Sequence, residues 1–540
     1  MIRVVHAAPS PAPAHARVAR AAIRSAGHPL EEVAAADPLA GLALALEGEG
    51  AFLYLHADAV GPLGPLPDPE EGPWALLQDG DGAPFPAALA IPAELAERLR
   101  GLSPGALHRA LRAVPWRVAI APDALRSPRP AEVEADAILA ATPPVIPAAL
   151  VLGDPVRLEA DGVDPSRVLA AIAGAAPALA EALGEDAARL LPPRAAQLVH
   201  GDVAVLPHEP PARMPEGEVL AFLHCYYPDA LPEMLAVIDR IPVPVRLHVS
   251  AADREGADAI AETLAERPAE VRVVAQNRGR DMAALFVTFA DVLRESGDRP
   301  ALRLHSKRSP QETAQASGAY VEHLHGNLVG SAGYVARLLM RLEDEPAIGL
   351  AIPPAPHHGR AMLGHGWLNN RAPLRDWMAR LGIEGPLDPY TPLAPWGGMY
   401  WFRPNALASM LAHDWRHEDY APEPHYRDGD LAHVQERLIP YAVRSAGYRV
   451  LTVMTPETAA QSHARLEMKL DAVAGRLASG DLRDQIAQLD RIGRGPRMRA
   501  YRRLASLYGA WTRRFPTARP ALRRIAHPLR RWLGGGLGRR

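Results

Sequence analysis

Only one cysteine, Cys225, occurs in 540 residues. That excludes an intramolecular disulfide framework and a cysteine-based zinc site, and it points to a reducing compartment. No run of eighteen apolar residues is present, and the opening MIRVVHAAPSPAPAHARVAR has no apolar core between a basic start and a cleavage site. Neither a membrane-spanning helix nor an ordinary export signal is expected. Lysine is nearly missing, with Lys307 and Lys469 alone, and asparagine is confined to Asn277, Asn327, Asn369, Asn370 and Asn405 in one central stretch. A chain that elsewhere uses Arg for Lys and avoids Asn keeps these residues for local geometry or chemistry.

What is there is ordinary in bulk and uneven in distribution. A content of 48% hydrophobic and 22% charged residues suits a soluble protein with room for two or three cores. The net charge of −3 conceals a tail, residues 491–540, with fifteen Arg and no Asp or Glu, so that the first 490 residues carry −18. The tail is a separate electrostatic object.

Residues 1–135 read as a small α/β domain, with an apolar start IRVV, a helical stretch HARVARAAIRSAG, and strands at AFLYLHADAV and WRVAIAP. Residues 136–214 read as a Pro- and Ala-rich bridge containing a helix. From 215 to 458 the alternation is cleaner. EVLAFLHCYY, PVRLHVSA, EVRVVAQ and ALRLH are strands separated by helices, a βα series that right-handed crossovers fold into a mostly parallel sheet flanked by helices. Residues 459–490 form amphipathic helices with a break expected at Gly480, and 491–540 an Arg-rich amphipathic tail, so the chain ends in a helical extension. No internal repeat of fixed period is found.

Two motifs fall at strand ends, where a parallel sheet opens its ligand crevice. In NRGRDMAALF, Gly279 permits a tight turn, Asn277 tolerates a left-handed backbone, Asp281 is placed to cap the following helix, and Arg278 and Arg280 flank its positive end. In HSKRSP, His305, Ser306, Lys307 and Arg308 add further donors. A diphosphate is the anion that suits so many cations and N–H groups. The alternative reading is a capping Asp and solvated surface arginines, but two basic clusters at successive strand ends are hard to attribute to surface decoration.

The ordered motifs LHCYYPDAL, NRGRDMAALF, LHSKRSP, GGMYWFRPNAL and DGDLAHVQERL, over about residues 218–456, resemble the rhamnan synthesis protein F family of polysaccharide-assembly proteins. The resemblance implies a glycosyltransferase-like role in building a rhamnose-containing or related bacterial surface glycan from a nucleotide-diphosphate sugar. Arg308 replaces a common second Lys, and Asp430 a common Thr. The order of elements is also similar to a GT-A glycosyltransferase fold, in which this strand ordinarily ends in a metal-binding Asp-x-Asp. Here the position reads His305-Ser306-Lys307, so fixed cations are expected to take the metal's place, with no metal and no cofactor besides the sugar-nucleotide substrate.

A transferase needs a base for the acceptor hydroxyl. Asp428 is the first choice, then Glu436, with His433 on the same helical face; Asp430 reads as the cap of that helix. Gly397 and Gly398 allow close backbone approach, and Gly398, Tyr400 and Trp401 are the sugar-side residues, although alternating strand residues face opposite ways and one ring is as readily core. His323 with His325 and His357 with His358 lack metal-ligand spacing. HADA at 56–59 resembles a weakened acidic motif, which makes a degenerate second transferase a further reading of the first domain. The tail, with Trp511 and Trp532 among its arginines, fits an anionic membrane surface; nucleic acid is the rival, without any recognised motif, and a tail binding the acidic body is a third reading. The expected protein is cytoplasmic and peripheral on the inner face of the cytoplasmic membrane, with a lipid-linked glycan acceptor and a second copy of the chain docking through 462–490. The rival from another class is a non-catalytic scaffold or glycan-binding subunit.

Overall fold

The computed structural model describes the chain apart from residues 1–3, 27, 49, 57–58, 61–68, 70–73, 76–87, 115–116, 119–145, 161–162, 307–313, 357–363, 423–427 and, beyond 494, all but 503, 507 and 511. Two units are present, Met1–Thr458 and Ala459–Arg540. The first is α/β throughout and is built on two large sheets.

The first sheet uses β1 (Val4–Ala8), β2 (Leu30–Ala34), β3 (Phe52–His56), β5 (Trp74–Ala75), β6 (Ala88–Ile91) and β7 (Arg117–Val118) in the order β2-β1-β3-β6-β5-β7. The short β4 (Ala59–Val60) pairs separately with β8 (Ile146–Pro147). The second sheet has eight strands: β9 (Val203–Val205), β10 (Val219–Cys225), β11 (Val245–Ala251), β12 (Ala269–Val273), β13 (Ala301–His305), β14 (Ile348–Ile352), β15 (Tyr400–Phe402) and β16 (Arg449–Met454). Their order is β12-β11-β10-β13-β15-β14-β16-β9, parallel everywhere except that β15 runs against both neighbours.

Although the sequence carries no periodic repeat, the sheets share a plan. Strands β2-β1-β3-β6-β5-β7 follow the chain order and directions of β11-β10-β13-β15-β14-β16, step for step. Phe52 and Tyr54 face Ile91 and Leu89 as Ala301 and Arg303 face Phe402 and Tyr400. His56 therefore ends β3 as His305 ends β13. The second sheet adds β12 and the edge strand β9, and the NRGRD turn follows β12.

Helices cover both faces of the second sheet, which is why its central strands read as apolar runs rather than alternating ones. Along β10, Val219, Ala221, Leu223 and Cys225 enter one core, while Leu220 and Phe222 enter the other. On β15 the same alternation sends Trp401 to the first core and Tyr400 and Phe402 to the second.

The bridge is a helical layer tied to both sheets. Helices Pro165–Ala175, Pro177–Leu190 and Pro193–His200 share a core that includes Ile172, Leu183 and Val199. Towards the second sheet, Gln197 Nε2 donates to the Val450 carbonyl at 2.8 Å and to Thr452 Oγ1 at 2.9 Å. Towards the first, Asp186 substitutes for the missing cap of helix Ala14–Ser25, accepting the backbone N–H groups of Ala14 and His15 at 2.9 Å each, with His15 Nδ1 at 2.6 Å.

Helix Pro456–Ala474, which starts in the last residues of the first unit, has no buried residue, and helix Leu482–Arg494 of the second unit follows after a break at 475–481 that includes Gly480. Most of the Arg-rich tail lies outside the described residues.

Asp186→Ala is expected to cost roughly 3 kcal/mol of the attachment between the first sheet and the bridge, measured as lost hydrogen-exchange protection in Ala14–Ser25. Burial opposes ionisation of Asp186, yet the His15 ring and the two backbone N–H groups outweigh it and bring its pKa from 3.8 down to about 2. Its contribution is thus complete above 3.8 and lost as pH falls through about 2, which an acid titration of the same protection checks.

Candidate functional site

The chain winds outward from β10 through β11 to β12 and then returns to β13 on the other side of β10. Connections leaving in opposite directions make a topological switch point, the place where such sheets form a ligand crevice, at the carboxyl ends of β10 and β13. His224 and His305 stand there side by side in register. His224 Nδ1 lies 2.9 Å from Ser250 Oγ, and burial, aided by the charges of His305 and Arg303 against that of Asp281, takes its pKa down to about 4, so this ring is neutral at pH 7.

The NRGRD turn enters the crevice from one side. Gly279 is the N-cap of helix Arg280–Phe286 at φ +73°, and a Cβ there would sit 2.5 Å from the Tyr420 ring. Arg280 is also left-handed, at φ +54°, a conformation that costs a side-chain-bearing residue about 1–3 kcal/mol. That strained backbone brings its Nη1 to 3.4 Å from Nε2 of His433, on the opposite wall. Asn277, expected to absorb the unusual backbone, does not: the positive φ values fall on Gly279 and Arg280, where the chain turns under Tyr420.

The N-cap of this helix is Gly279, and Asp281 stands in its first turn. The Asp281 Oδ2 accepts from Arg303 Nη2 at 2.7 Å and lies 3.7 Å from His305 Nε2. Arg303 sits two residues before His305 on β13 and so shares its face of the sheet. It is 2% exposed, donates to the Tyr400 hydroxyl at 3.1 Å and lies over that ring. Burial disfavours its charge, but Tyr400, Asp281 and Glu436 more than offset this, and its pKa is raised. The loop Gly397–Gly398 closes the floor. The Gly397 carbonyl accepts from His305 Nε2 at 2.7 Å, and a Cβ on Gly398 would fall 2.5 Å from Asp281 Oδ2.

The far wall is helix Leu431–Ser445, with Asp430 as N-cap. His433 and Glu436, three residues apart, share one face of it, and Glu436 is close enough to contribute to the raised pKa of Arg303. Between this helix and the turn, Tyr420 donates to Gln435 Oε1 at 2.9 Å while Arg278 Nη1 donates to the Tyr420 carbonyl at 3.1 Å.

Residues 187–448 match the model of the rhamnan synthesis protein F family. Two proteins from strains of Xanthomonas campestris pv. campestris, each described as uncharacterized protein WxcX, are 28% identical to this chain over 233 residues, covering 43% of it and 32% of theirs. The alignment thus spans about a third of those relatives. The matched segment begins inside the bridge, earlier than the βα series, where Gln197 and β9 are joined to β16.

Within this segment the structure gathers Arg280, Asp281, His305, Gly398, His433 and Glu436 around one crevice. Ser306 acts as a latch beside it, its N–H donating to the His224 carbonyl at 2.9 Å and its Oγ accepting from Tyr227 N at 3.1 Å. Asp428 is engaged elsewhere: its carboxylate accepts from Asn369 N and Asn370 Nδ2, both at 2.7 Å, and so clamps a loop. Tyr400 and Trp401 are fully buried on opposite faces of β15, with no ring face open to a sugar. Lys307 and Arg308 lie outside the described residues. Among the described residues no group of three or more His, Cys, Asp or Glu is gathered as a metal site.

Sequence reasoning missed Arg303, His224 and Tyr420. The one visible signal was Arg303 itself, a lone charge inside the apolar strand ALRLH two places before His305. Asp281→Ala leaves that guanidinium buried without its carboxylate and is expected to lower stability by about 3–5 kcal/mol. Combining it with Arg303→Met should recover most of the loss, as compared in paired urea titrations.

Proposed function

We propose that the rhamnan synthesis F segment is a glycosyltransferase that takes a sugar, with rhamnose the first to test, from a nucleotide-diphosphate donor and adds it to a lipid-linked bacterial surface glycan. The family match supports a role in rhamnan or surface-polysaccharide synthesis. The observation that carries the finer reading is the switch-point crevice, where Arg280, turned inward by a strained backbone, faces His433 and Glu436 across the Asp281–Arg303 floor. One antiparallel strand within a parallel sheet is in keeping with the GT-A-like reading.

In this scheme an acceptor hydroxyl oxygen attacks the anomeric carbon and the bond from that carbon to the donor diphosphate breaks. Glu436 takes the hydroxyl proton, and the nucleoside diphosphate leaves carrying the electron pair. Arg280, with Lys307 and Arg308 of the same motif set, stabilises the departing phosphates as fixed charges, so no divalent ion is required. Glu436 replaces Asp428 as the first base because the Asp428 carboxylate is already held by Asn369 and Asn370. Among the described residues no helix is long and apolar enough to cross a membrane. The Arg-rich tail, by its charge, would hold the enzyme to the anionic inner surface where a lipid-linked acceptor resides.

A second reading, a glycan-binding subunit that retains the fold without transfer, is favoured by the engagement of Asp428. Purified full-length protein incubated with a panel of nucleotide sugars and a lipid-linked acceptor separates the two. Transfer is expected with EDTA present, and transfer abolished by EDTA would overturn the metal-free scheme. Glu436→Gln should lower turnover by roughly 10²–10⁴-fold with donor binding kept, whereas Asp428→Asn should act mainly on stability. Equal turnover in wild type and Glu436→Gln would remove Glu436 from the base role.

A further inference from the structure

Arg437 lies one helical turn beyond His433 on the crevice helix and is 3% exposed. Its Nη1 donates back to the His433 carbonyl at 2.8 Å, so the guanidinium points along the helix towards its amino-terminal turn, where the crevice lies. The guanidinium carbon stands 4.9 Å from the centre of the Trp396 ring. Its Nε has no hydrogen-bond partner, and among the described residues no carboxylate pairs with it.

The other buried arginines of this segment are better provided for. Arg303 has Asp281 and the Tyr400 hydroxyl. Arg403 donates to the carbonyls of Ile348, Asp298 and Leu342 at 3.0, 2.7 and 2.6 Å. A buried guanidinium held by one carbonyl and an aromatic face is costly, because the desolvation of its charge is not repaid. The two residues that Arg437 contacts each carry an unsatisfied polar atom as well: the Nε1 of Trp396, which is 4% exposed and immediately precedes Gly397, and the Nδ1 of His433. The arginine and tryptophan atoms are donors only. Unused donors around a buried cation call for an oxyanion, which a guanidinium edge binds with two parallel bonds.

We propose that Arg437, packed on Trp396 and assisted by His433, is a substrate anchor that binds one oxyanionic group at the inner end of the crevice. That group is a phosphate of the sugar-nucleotide donor or the carboxylate of an acidic sugar on the acceptor. The inference concerns the same crevice and rests on the transferase reading only for the first of those sources. An unpaired positive charge kept at the floor is neutralised when substrate enters, so the site favours the loaded state.

Calorimetric titration of the full-length protein with UDP or dTDP, with a galacturonate oligosaccharide, and with inorganic phosphate tests this. Wild type is expected to bind at least one of the three, and Arg437→Met to weaken that binding about tenfold or more, the scale of a charge-assisted contact. The melting temperature of unliganded Arg437→Met should stay level or rise, since Met fills the space without a stranded charge. Arg437→Lys should restore binding only in part, and Trp396→Phe, which keeps a ring but removes the N–H, should give a smaller loss. Binding of the galacturonate alone supports the anchor while counting against a nucleotide donor. Arg437→Met binding every probe as wild type does would overturn the proposal, as would a wild type that binds none of them, or an Arg437→Met protein that melts early while keeping its affinity.

Discussion

A charged side chain in the middle of an apolar strand must bring its own counter-charge, and the crevice is arranged around how Arg303 obtains one. Asp281 supplies it from the first turn of the helix that follows the NRGRD turn, 22 residues back along the chain. That contact sets where the turn lies over the sheet. It leaves space beneath Asp281 for no more than a glycine backbone at Gly398, and it brings His305 to the Gly397 carbonyl. The strained Arg280 is a further consequence. With Gly279 pressed on Tyr420 and Asp281 pulled down to Arg303, the intervening residue absorbs the turn in a left-handed conformation and directs its guanidinium across the opening to His433.

The two sheets carry this logic to different extents. They share strand order and direction, yet Tyr54 stands in the first sheet where Arg303 stands in the second, and its hydroxyl donates to the Pro38 carbonyl. The amino-terminal end of helix Ala14–Ser25, which follows β1 as the crevice-side helices follow the strands of the second sheet, is already filled by the Asp186 carboxylate from the bridge. One plan thus serves two ends. In the second sheet Arg303 meets Asp281 at the strand ends, and in the first the N–H groups that open helix Ala14–Ser25 are taken by Asp186, which ties that sheet to the bridge.

Much of the crevice was legible in the residues before any coordinates. The βα alternation from 218 onward marked a parallel sheet because strands buried on both faces leave few polar positions, and the motifs NRGRD and HSKRSP marked the carboxyl ends of its strands because strand-to-helix turns fall there. Other assignments failed for want of long-range information. Asp428 was the first choice of base from its place in the loop, and only the return of Asn369 and Asn370 from nearly sixty positions away engages it. Tyr400 and Trp401 were legible as strand aromatics, but whether a ring meets solvent depends on what covers each face of β15, and both faces are covered.

By itself the sequence determined the local elements, the charge separation between body and tail, the absence of disulfide chemistry and the family resemblance, since each of these is set by neighbouring residues or by composition. Tertiary structure alone decided which charges meet. Arg303 with Asp281, Arg280 with His433, Asp428 with Asn370 and Arg437 with Trp396 are pairings between elements far apart along the chain. Desolvation, which determines whether such a charge is idle or useful, depends on everything packed around it, and no stretch of sequence encodes that locally.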